Sequence, residues 1–475
     1  LCYTISPGFF RREKGQKGDK GNMKKTMSIT LILSTIFLLA APSWAISLEE
    51  CINRAIKTRD VIKKYEYQVK AAKEKERVAM SGFLPTFDLE YSASRARTRG
   101  SYGDTDYQNM SGFAGSSSYL PIGAIDFSGD LNETRSCSTF SATLAYNLFR
   151  GFGDYRALKA AQFSTSAQNY LLSAQIADVI LDVKKAYIQA LRAKSYLRVA
   201  KVAVKLLEKQ KADTQTKREV GLVTKRQVLK VQVELDSARQ NLLTAETNFI
   251  KAVDRLKRVV GIPYPTQVDL NDVSLREIDV TNFQNLKKRM LEQRSEIRYY
   301  RMLISSLEEQ KKASESNYYP SIGVSLSYTK FGDDFDMKTK DEGMDYETLF
   351  MMTARWNLFN GLRDYAGVKE TLYRKIATER ELNELENQLV LQLRNSIDNL
   401  KVAKNRLKVA ESAVKEGKEH YRITYESFKN GLVTTTNLLD ARYFLTRSEI
   451  QKVDAFYDVQ IAIAELQRIL EITSK

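Results

Sequence analysis

Histidine is almost absent from this sequence: His420 is the only one in 475 residues. Cysteine occurs three times, tryptophan twice and proline seven times. A lone histidine in a helical stretch, read as structural or exposed, and the lack of any cysteine cluster exclude metal sites built from imidazole pairs or thiolates. No phosphate-cradling glycine loop and no nucleophile motif occurs. Nothing marks the chain as an enzyme, and no metal or cofactor is expected.

No apolar run reaches the roughly 20 residues that a membrane-spanning helix needs. Ile29 to Ala41 offers 13, behind the basic Met23-Lys24-Lys25 and ahead of the small residues Ser43 and Ala45. That pattern predicts a secretory leader over 23–45, cleaved after Ala45. Residues 1–22 read as an upstream extension that is not native to the protein. No Cys follows the expected cleavage point, so a lipid-anchored N-terminus is not indicated.

An exported chain lies where disulfides form. Cys51 and Cys137 remain beyond the leader, but Cys51 stands about 30 residues of expected helix away from the first strand. At about 1.5 Å per residue that is roughly 45 Å, far beyond disulfide reach. The formal net charge is +16; seven of 74 Lys+Arg and two of 58 Asp+Glu precede residue 46, leaving 67 against 56. The two signs are interspersed along helical stretches, which describes solvated faces. No nucleic-acid module is present.

What the chain does have is duplication. "VGLVTKRQVLK" (220–230) is answered by "NGLVTTTNLLD" (430–440), 210 positions on. "YNLFRGFGDY" (146–155) is answered at the same distance by "WNLFNGLRDY" (356–365). The segments around Pro85 and Arg59 are answered around Pro320 and Arg294, at 235. The anchors keep their order, so the first copy carries 235 − 210 = 25 additional residues between Pro85 and Tyr146. Two long copies are not a solenoid array.

Each copy reads helix, two strands, long helical hairpin. Ser47 to Ser81 contains no Pro or Gly and predicts one helix, matched by Asn282 to Asn317. Asp154 to Val220 and Leu362 to Asn430 predict helices of about 67 residues, roughly 100 Å long. Ile176, Ile180, Val183, Tyr187 and Ala190 step by four and three, as do Leu382, Leu385, Leu389, Leu393 and Ile397; this is coiled-coil spacing. Gly221 and Gly431 then stop the helices as left-handed C-cap residues, so GLVT marks a hairpin tip twice.

The strands alternate. Phe87, Leu89, Tyr91 and Ala93 form one apolar row; Phe140, Ala142, Leu144, Tyr146 and Leu148 form another. Ile322, Val324, Leu326 and Tyr328 make a third, and Phe350, Met352, Ala354, Trp356 and Leu358 a fourth. Strands of about ten residues with one apolar face describe a transmembrane barrel wall. Phe83, Phe149, Tyr318, Tyr319 and Phe359 fall where strand meets helix, as an aromatic girdle at one interface requires. Four strands cannot close a barrel, and lipid forbids an open edge. Three chains would supply twelve.

These features together resemble the TolC-type outer-membrane efflux family over essentially all of 46–475. The resemblance rests on the duplicated element order, the two "NLF.G...Y" strand exits and the two GLVT tips. It implies a mainly α fold with a membrane β-barrel: long hairpins forming a periplasmic α-barrel, and four strands per chain in a twelve-stranded trimeric barrel. The first repeat would be 46–260, with a β-hairpin at 84–149 and a tip at 221. An equatorial linker would cover 261–283. The second repeat would be 284–475, with a β-hairpin at 320–359 and a tip at 431.

The implied function is an outer-membrane channel-tunnel, exporting small molecules or proteins with a periplasmic adaptor and an inner-membrane pump, in tripartite efflux or type I secretion. The implied partners are two further copies, those proteins and outer-membrane lipid. Adaptors would dock at Val220, Gly221, Leu222, Gly431 and Leu432. The family's gate carries over in part. Its two acids three apart become Asn437 and Asp440, and the acid of its first-tip latch becomes Gln227, preceded by Lys225 and Arg226. An Arg226–Asp440 latch is the expectation in its place.

The acidic stretch Phe331–Glu347 reads as a solvated external loop or a divalent-cation site, without EF-hand spacing. Residues 99–135 read as a longer external loop. The competing class is a periplasmic or surface coiled-coil adhesin, which leaves the four amphipathic strands unexplained.

Overall fold

The computed structural model describes residues 44–100, 131–264, 266, 268–335, 337–338 and 345–472. The upstream segment, most of the leader, the body of the 99–135 stretch and part of the acidic loop lie outside them. In chain order the elements are β1 (Trp44–Ile46), α1 (Leu48–Thr58), α2 (Asp60–Ser81), β2 (Thr86–Gly100), β3 (Leu131–Arg150), α3 (Gly153–Glu219) and α4 (Lys225–Val260). Then follow β4 (Val268–Leu270), α5 (Phe283–Gln293), α6 (Ser295–Glu315), β5 (Ser321–Gly332), β6 (Tyr346–Arg355), α7 (Arg363–Lys429) and α8 (Thr435–Ile469).

Neither short helix is continuous. Arg59 (φ −69°, ψ 125°) and Arg294 (φ −59°, ψ 123°) leave the helical region and split each into two. These positions are 235 apart, so the break itself is duplicated. Burial explains it. α1 buries Leu48, Cys51 and Ala55 in one core cluster with the middle of α3. α2 adds Ile62 to that cluster and buries Val69 and Ala72 farther along. A straight helix cannot aim both faces at once, and a single extended residue redirects the axis. Helical periodicity alone carries no sign of that turn.

Within the stretch expected as the equatorial linker, β4 pairs in parallel with β1, Val268 with Trp44 and Leu270 with Ile46. β1 thus begins inside the expected leader. The fully buried Tyr187 places its hydroxyl 3.0 Å from the Ile46 carbonyl and 2.8 Å from that of Asn271, tying the ribbon to α3. A second core cluster joins Met290 and Ile297 to Leu393, Ile397 and Leu400 of α7 and to Ile463 and Leu466 of α8. Among the described residues Cys51 and Cys137 are unbridged, the first buried and the second exposed. Burial pushes the Cys51 thiol up to about 12, so it packs as an inert apolar group.

The four long strands form one antiparallel sheet, ordered β2-β3-β5-β6. Register confirms a shared apolar face: Phe87 opposes Leu144, Leu144 opposes Leu326, and Leu326 opposes Phe350. The other face carries Asp88, Glu90, Ser92, Thr139, Ser141, Ser327, Thr329 and Glu347. Three details depart from simple alternation. A bulge between Asn147 and Phe149 leaves Leu148 as the extra residue and brings Phe149, not Leu148, opposite Ile322. β6 ends at Arg355, so Trp356 and Leu358 lie beyond the strand. β2 and β3 run 15 and 20 residues against 12 and 10 for β5 and β6. β3 therefore starts at Leu131, inside the stretch read as loop, and its first seven residues pair with β2 alone.

Both outer strands of this sheet, β2 and β6, are edges. The apolar face is bare in one chain: Phe87 is 65% exposed, Leu89 60%, Phe350 69% and Met352 62%. A ribbon with two open edges and a lipid-grade face is not a stable end state in water or in hydrocarbon.

Candidate functional site

The hairpin tips are built by two backbone devices in succession. In the first, the Leu222 amide donates to the Lys217 carbonyl (2.9 Å) and the Gly221 amide to that of Arg218 (3.0 Å). In the second, Leu432 donates to Ser427 (2.9 Å) and Gly431 to Phe428 (3.1 Å). This double closure requires a left-handed residue after the helix, and Gly221 (φ 77°) and Gly431 (φ 74°) supply it. Thr224 and Thr434 then begin α4 and α8. The Thr224 amide donates to Gln227 Oε1 (3.1 Å), and the Thr434 amide to Asn437 Oδ1 (3.2 Å). Asn437 returns its own amide to Thr434 Oγ1 (3.3 Å). Each letter of GLVT thus has a place: a left-handed stop, an exposed leucine, a half-buried valine and a threonine cap.

The carried-over gate positions divide. Gln227 and Asn437 use their side-chain carbonyls as caps. Asp440, Lys225 and Arg226 are exposed, and no ion pair joins Arg226 to Asp440 within one chain among the described residues. Val220, Leu222 and Leu432 are likewise exposed, Leu432 at 76%. The position equivalent to Asp440 by the 210 repeat is Lys230, whose Nζ donates to Thr436 Oγ1 (3.2 Å) across the two tips.

Other residues brace the tips, and the motif comparison missed them. Lys217 Nζ donates to the carbonyls of Phe428 (2.7 Å) and Lys429 (3.0 Å), capping the C-terminus of α7 with a cation where the helix dipole favours one. The Tyr425 hydroxyl donates to Asp213 Oδ2 (2.9 Å), and Lys209 lies over the Tyr425 ring. Lys217 and Asp213 have no like-for-like partner 210 positions on, so internal comparison could not reveal them.

Where strand passes into long helix, the other repeated motif makes a double left-handed turn. Gly151 (φ 58°) and Phe152 (φ 63°) recur as Gly361 (φ 68°) and Leu362 (φ 68°), reversing the chain from strand into long helix. A Cβ on Gly151 would lie 2.5 Å from the Ser316 carbonyl oxygen, so that position also demands close approach. Trp356 Nε1 donates to the Tyr318 carbonyl (3.1 Å) beside this junction.

Where α5 meets α6, the break in the second copy sits in a largely buried ionic knot. Arg468 pairs with Asp178 (2.8 Å) and Glu296 (2.7 Å), Arg294 pairs with Glu296 (2.8 Å), and Arg294 also donates to the Arg468 carbonyl (2.6 Å). Burial alone would raise the Glu296 carboxyl, but Arg294 and Arg468 outweigh it and hold it below the usual carboxylate range. Lys184, buried beside this knot, donates to Gln467 Oε1 (2.6 Å), and burial depresses its ammonium pKa.

Comparison with known proteins decides what this architecture is. The family model for outer membrane efflux proteins matches residues 51–262 and 286–470. The chain belongs to the outer membrane efflux protein family. It is 20% identical over 456 residues to the outer membrane protein TolC of Vibrio cholerae, covering 95% of this chain and 97% of that one. To the Escherichia coli TolC it is 21% identical over 341 residues, 70% of this chain and 69% of that protein. Among solved structures, a membrane protein from Pseudomonas aeruginosa superposes with a TM-score of 0.73 at 16% identity, covering 90% of this chain and 93% of the other. CusC superposes at 0.71 and 13% identity, covering 89% and 92%. Like other efflux proteins, the chain resides in the outer membrane, with its helices extending into the periplasm. The open apolar sheet is the membrane part, and the paired tips lie at the far end of the helices.

Proposed function

We propose that three copies close their sheets into a twelve-stranded barrel and join their hairpins into one tunnel, which exports small molecules or proteins handed over by an inner-membrane pump and a periplasmic adaptor. The observation that carries this reading is the pair of free edges, β2 and β6, on a sheet whose apolar face is continuous across all four strands. Pairing β2 of one copy with β6 of the next satisfies both edges without new elements. The protein's work is conduction, not catalysis.

At the tips, the exposed Leu222 and Leu432, with Val220 and the two glycine turns, form the adaptor-docking surface. Asp440 is the charged member of the gate, repeated three times about the axis. Three carboxylates in a narrow mouth focus the field and attract multivalent cations. Gln227 and Asn437 shape the tip backbone from which Asp440 projects. Lys225 and Arg226 of a neighbouring copy hold the mouth closed by pairing with that ring.

Single-channel recording in planar bilayers tests both levels. Wild type conducts, is blocked by a trivalent cation added on the periplasmic side, and loses that block in Asp440→Asn. Arg226→Ser raises the resting conductance. Absence of any conductance favours the coiled-coil adhesin. Conductance with an unchanged block in Asp440→Asn removes the gate assignment alone.

A further inference from the structure

The apolar face of the sheet does not end in neutral residues. Strand parity continues the row Phe87, Leu89, Tyr91, Ala93 directly into Arg95 and Arg97, whose partners on β3 are Ser136 and Thr134. Both arginines are exposed and lie in the overhang where β2 and β3 have passed the end of β5. On the same face, Lys330 stands in the row Tyr91–Phe140–Lys330–Tyr346, also exposed. An aromatic group surrounds it, with Tyr328 and Tyr346 stacked at 5.9 Å.

Height decides what these cations meet. A barrel's apolar band is about 25 Å tall and its strands tilt by about 40°, so crossing it takes roughly ten residues at about 3.3 Å each. β2 begins at Thr86, after the turn that carries Phe83, so a band of about ten strand residues ends near Arg95 and Ala96. Lys330 is tenth in its own strand, at the same limit, where a long side chain reaches outward to the interface. Arg95 and Arg97, tenth and twelfth in β2, straddle it. The opposite end of the sheet leads into the periplasmic helices, so this level is the outer leaflet.

The segment Gly332–Phe335 crosses the same face. Ser136 Oγ donates to the Asp333 carbonyl (3.1 Å), Ser138 Oγ to that of Asp334, and the Tyr91 hydroxyl to that of Phe335 (2.7 Å). It brings two acids, Asp333 and Asp334, which make interactions of their own, as does Arg97. These acids weaken the local positive field. A bound anion must therefore be held by direct hydrogen bonds more than by potential, and the guanidinium fork makes such bonds to phosphate.

We propose that Arg95, Arg97 and Lys330 form a docking surface for the phosphate groups of outer-leaflet glycolipid, one on each copy around the barrel. The proposal rests on the barrel reading above, because it needs the apolar face to point into lipid.

Native mass spectrometry of the detergent-solubilised protein, with phosphorylated lipopolysaccharide added, tests it. Wild-type trimers retain the lipid. Binding falls about tenfold or more when the lipid's phosphates are first removed enzymatically, and by a similar factor in Arg95→Gln/Arg97→Gln/Lys330→Gln. The phosphatase arm needs no variant, so misassembly of the triple mutant cannot mask the answer. Equal retention of intact and dephosphorylated lipid overturns the proposal, as does equal retention by wild type and an assembled triple variant. Trimers without lipid defeat this inference alone. Monomers with intact strands defeat the barrel reading, and this surface with it.

Discussion

The two helix breaks invite comparison because their backbones are alike and their surroundings are not. Arg59 is partly exposed and pairs with Asp182 at 3.3 Å, whose side chain is 59% exposed. Arg294 is buried, and shares Glu296 with Arg468. The tips show the same divergence: identical left-handed stops and threonine caps, but Lys230 in one copy where Asp440 stands in the other. Duplication has kept the devices that bend the chain and released the side chains around them. Backbone turns have few chemical solutions, whereas an ion pair can be rebuilt or dropped one residue at a time.

The largest expected effect separates the two breaks. Arg468→Met removes the ion pair to Asp178 and leaves Glu296 with Arg294 alone; it should cost about 3 kcal/mol, the low end for breaking a buried pair, because Arg294 remains and Asp178 is half-exposed. Arg59→Met should cost about 0–1 kcal/mol. Thermal unfolding of both variants measures the difference, and equal shifts would remove the distinction drawn here.

Next come the tip glycines. Nothing lies within 4 Å of a Cβ built on Gly221 or Gly431, so the penalty there is purely conformational. A side chain in the left-handed region costs roughly 1–2 kcal/mol per site. Val at both positions should abolish export while trimers still reach the outer membrane; normal efflux from the double variant would dissociate the turns from docking. Smaller still are the caps. Thr224→Ala and Thr434→Ala should each cost about 1 kcal/mol. The loss should be similar in the two tips, because the capping geometry is shared.

The smallest effect is in pH. Glu296 is held below its unfolded value, so its stabilisation is complete above about pH 4.3 and is lost as pH falls through the lower folded value. Acid should therefore loosen the packing around the second break. Glu296→Gln should flatten that dependence in a thermal-midpoint series, and an unchanged acid limb would assign the lability elsewhere.

Much of this was legible in the residues. The duplication, the long hairpins, the tip glycines and the alternation of the strands all follow from spacing, because period and left-handed backbone leave marks in sequence. The breaks at Arg59 and Arg294 did not show, since arginine is compatible with a helix and only burial on both sides forces the turn. Nor did the bulge at Leu148, where one apolar residue follows another and either could face lipid. Lys217 and Asp213 brace the tips from positions with no repeat counterpart. The Gln227 and Asn437 positions were visible, but their use as caps depends on local backbone geometry.

The central claim is that β2 and β6 are edges only until three chains meet. Residue-resolved hydrogen exchange on the detergent-solubilised protein tests it most directly. In one chain, alternate amides of β2 and β6 face the open edge. Closure predicts slow exchange for consecutive amides across Thr86–Ala96 and Thr348–Arg355, in a species with the mass of a trimer. Fast exchange at every second amide of these strands, or full protection in a monomer, would contradict it.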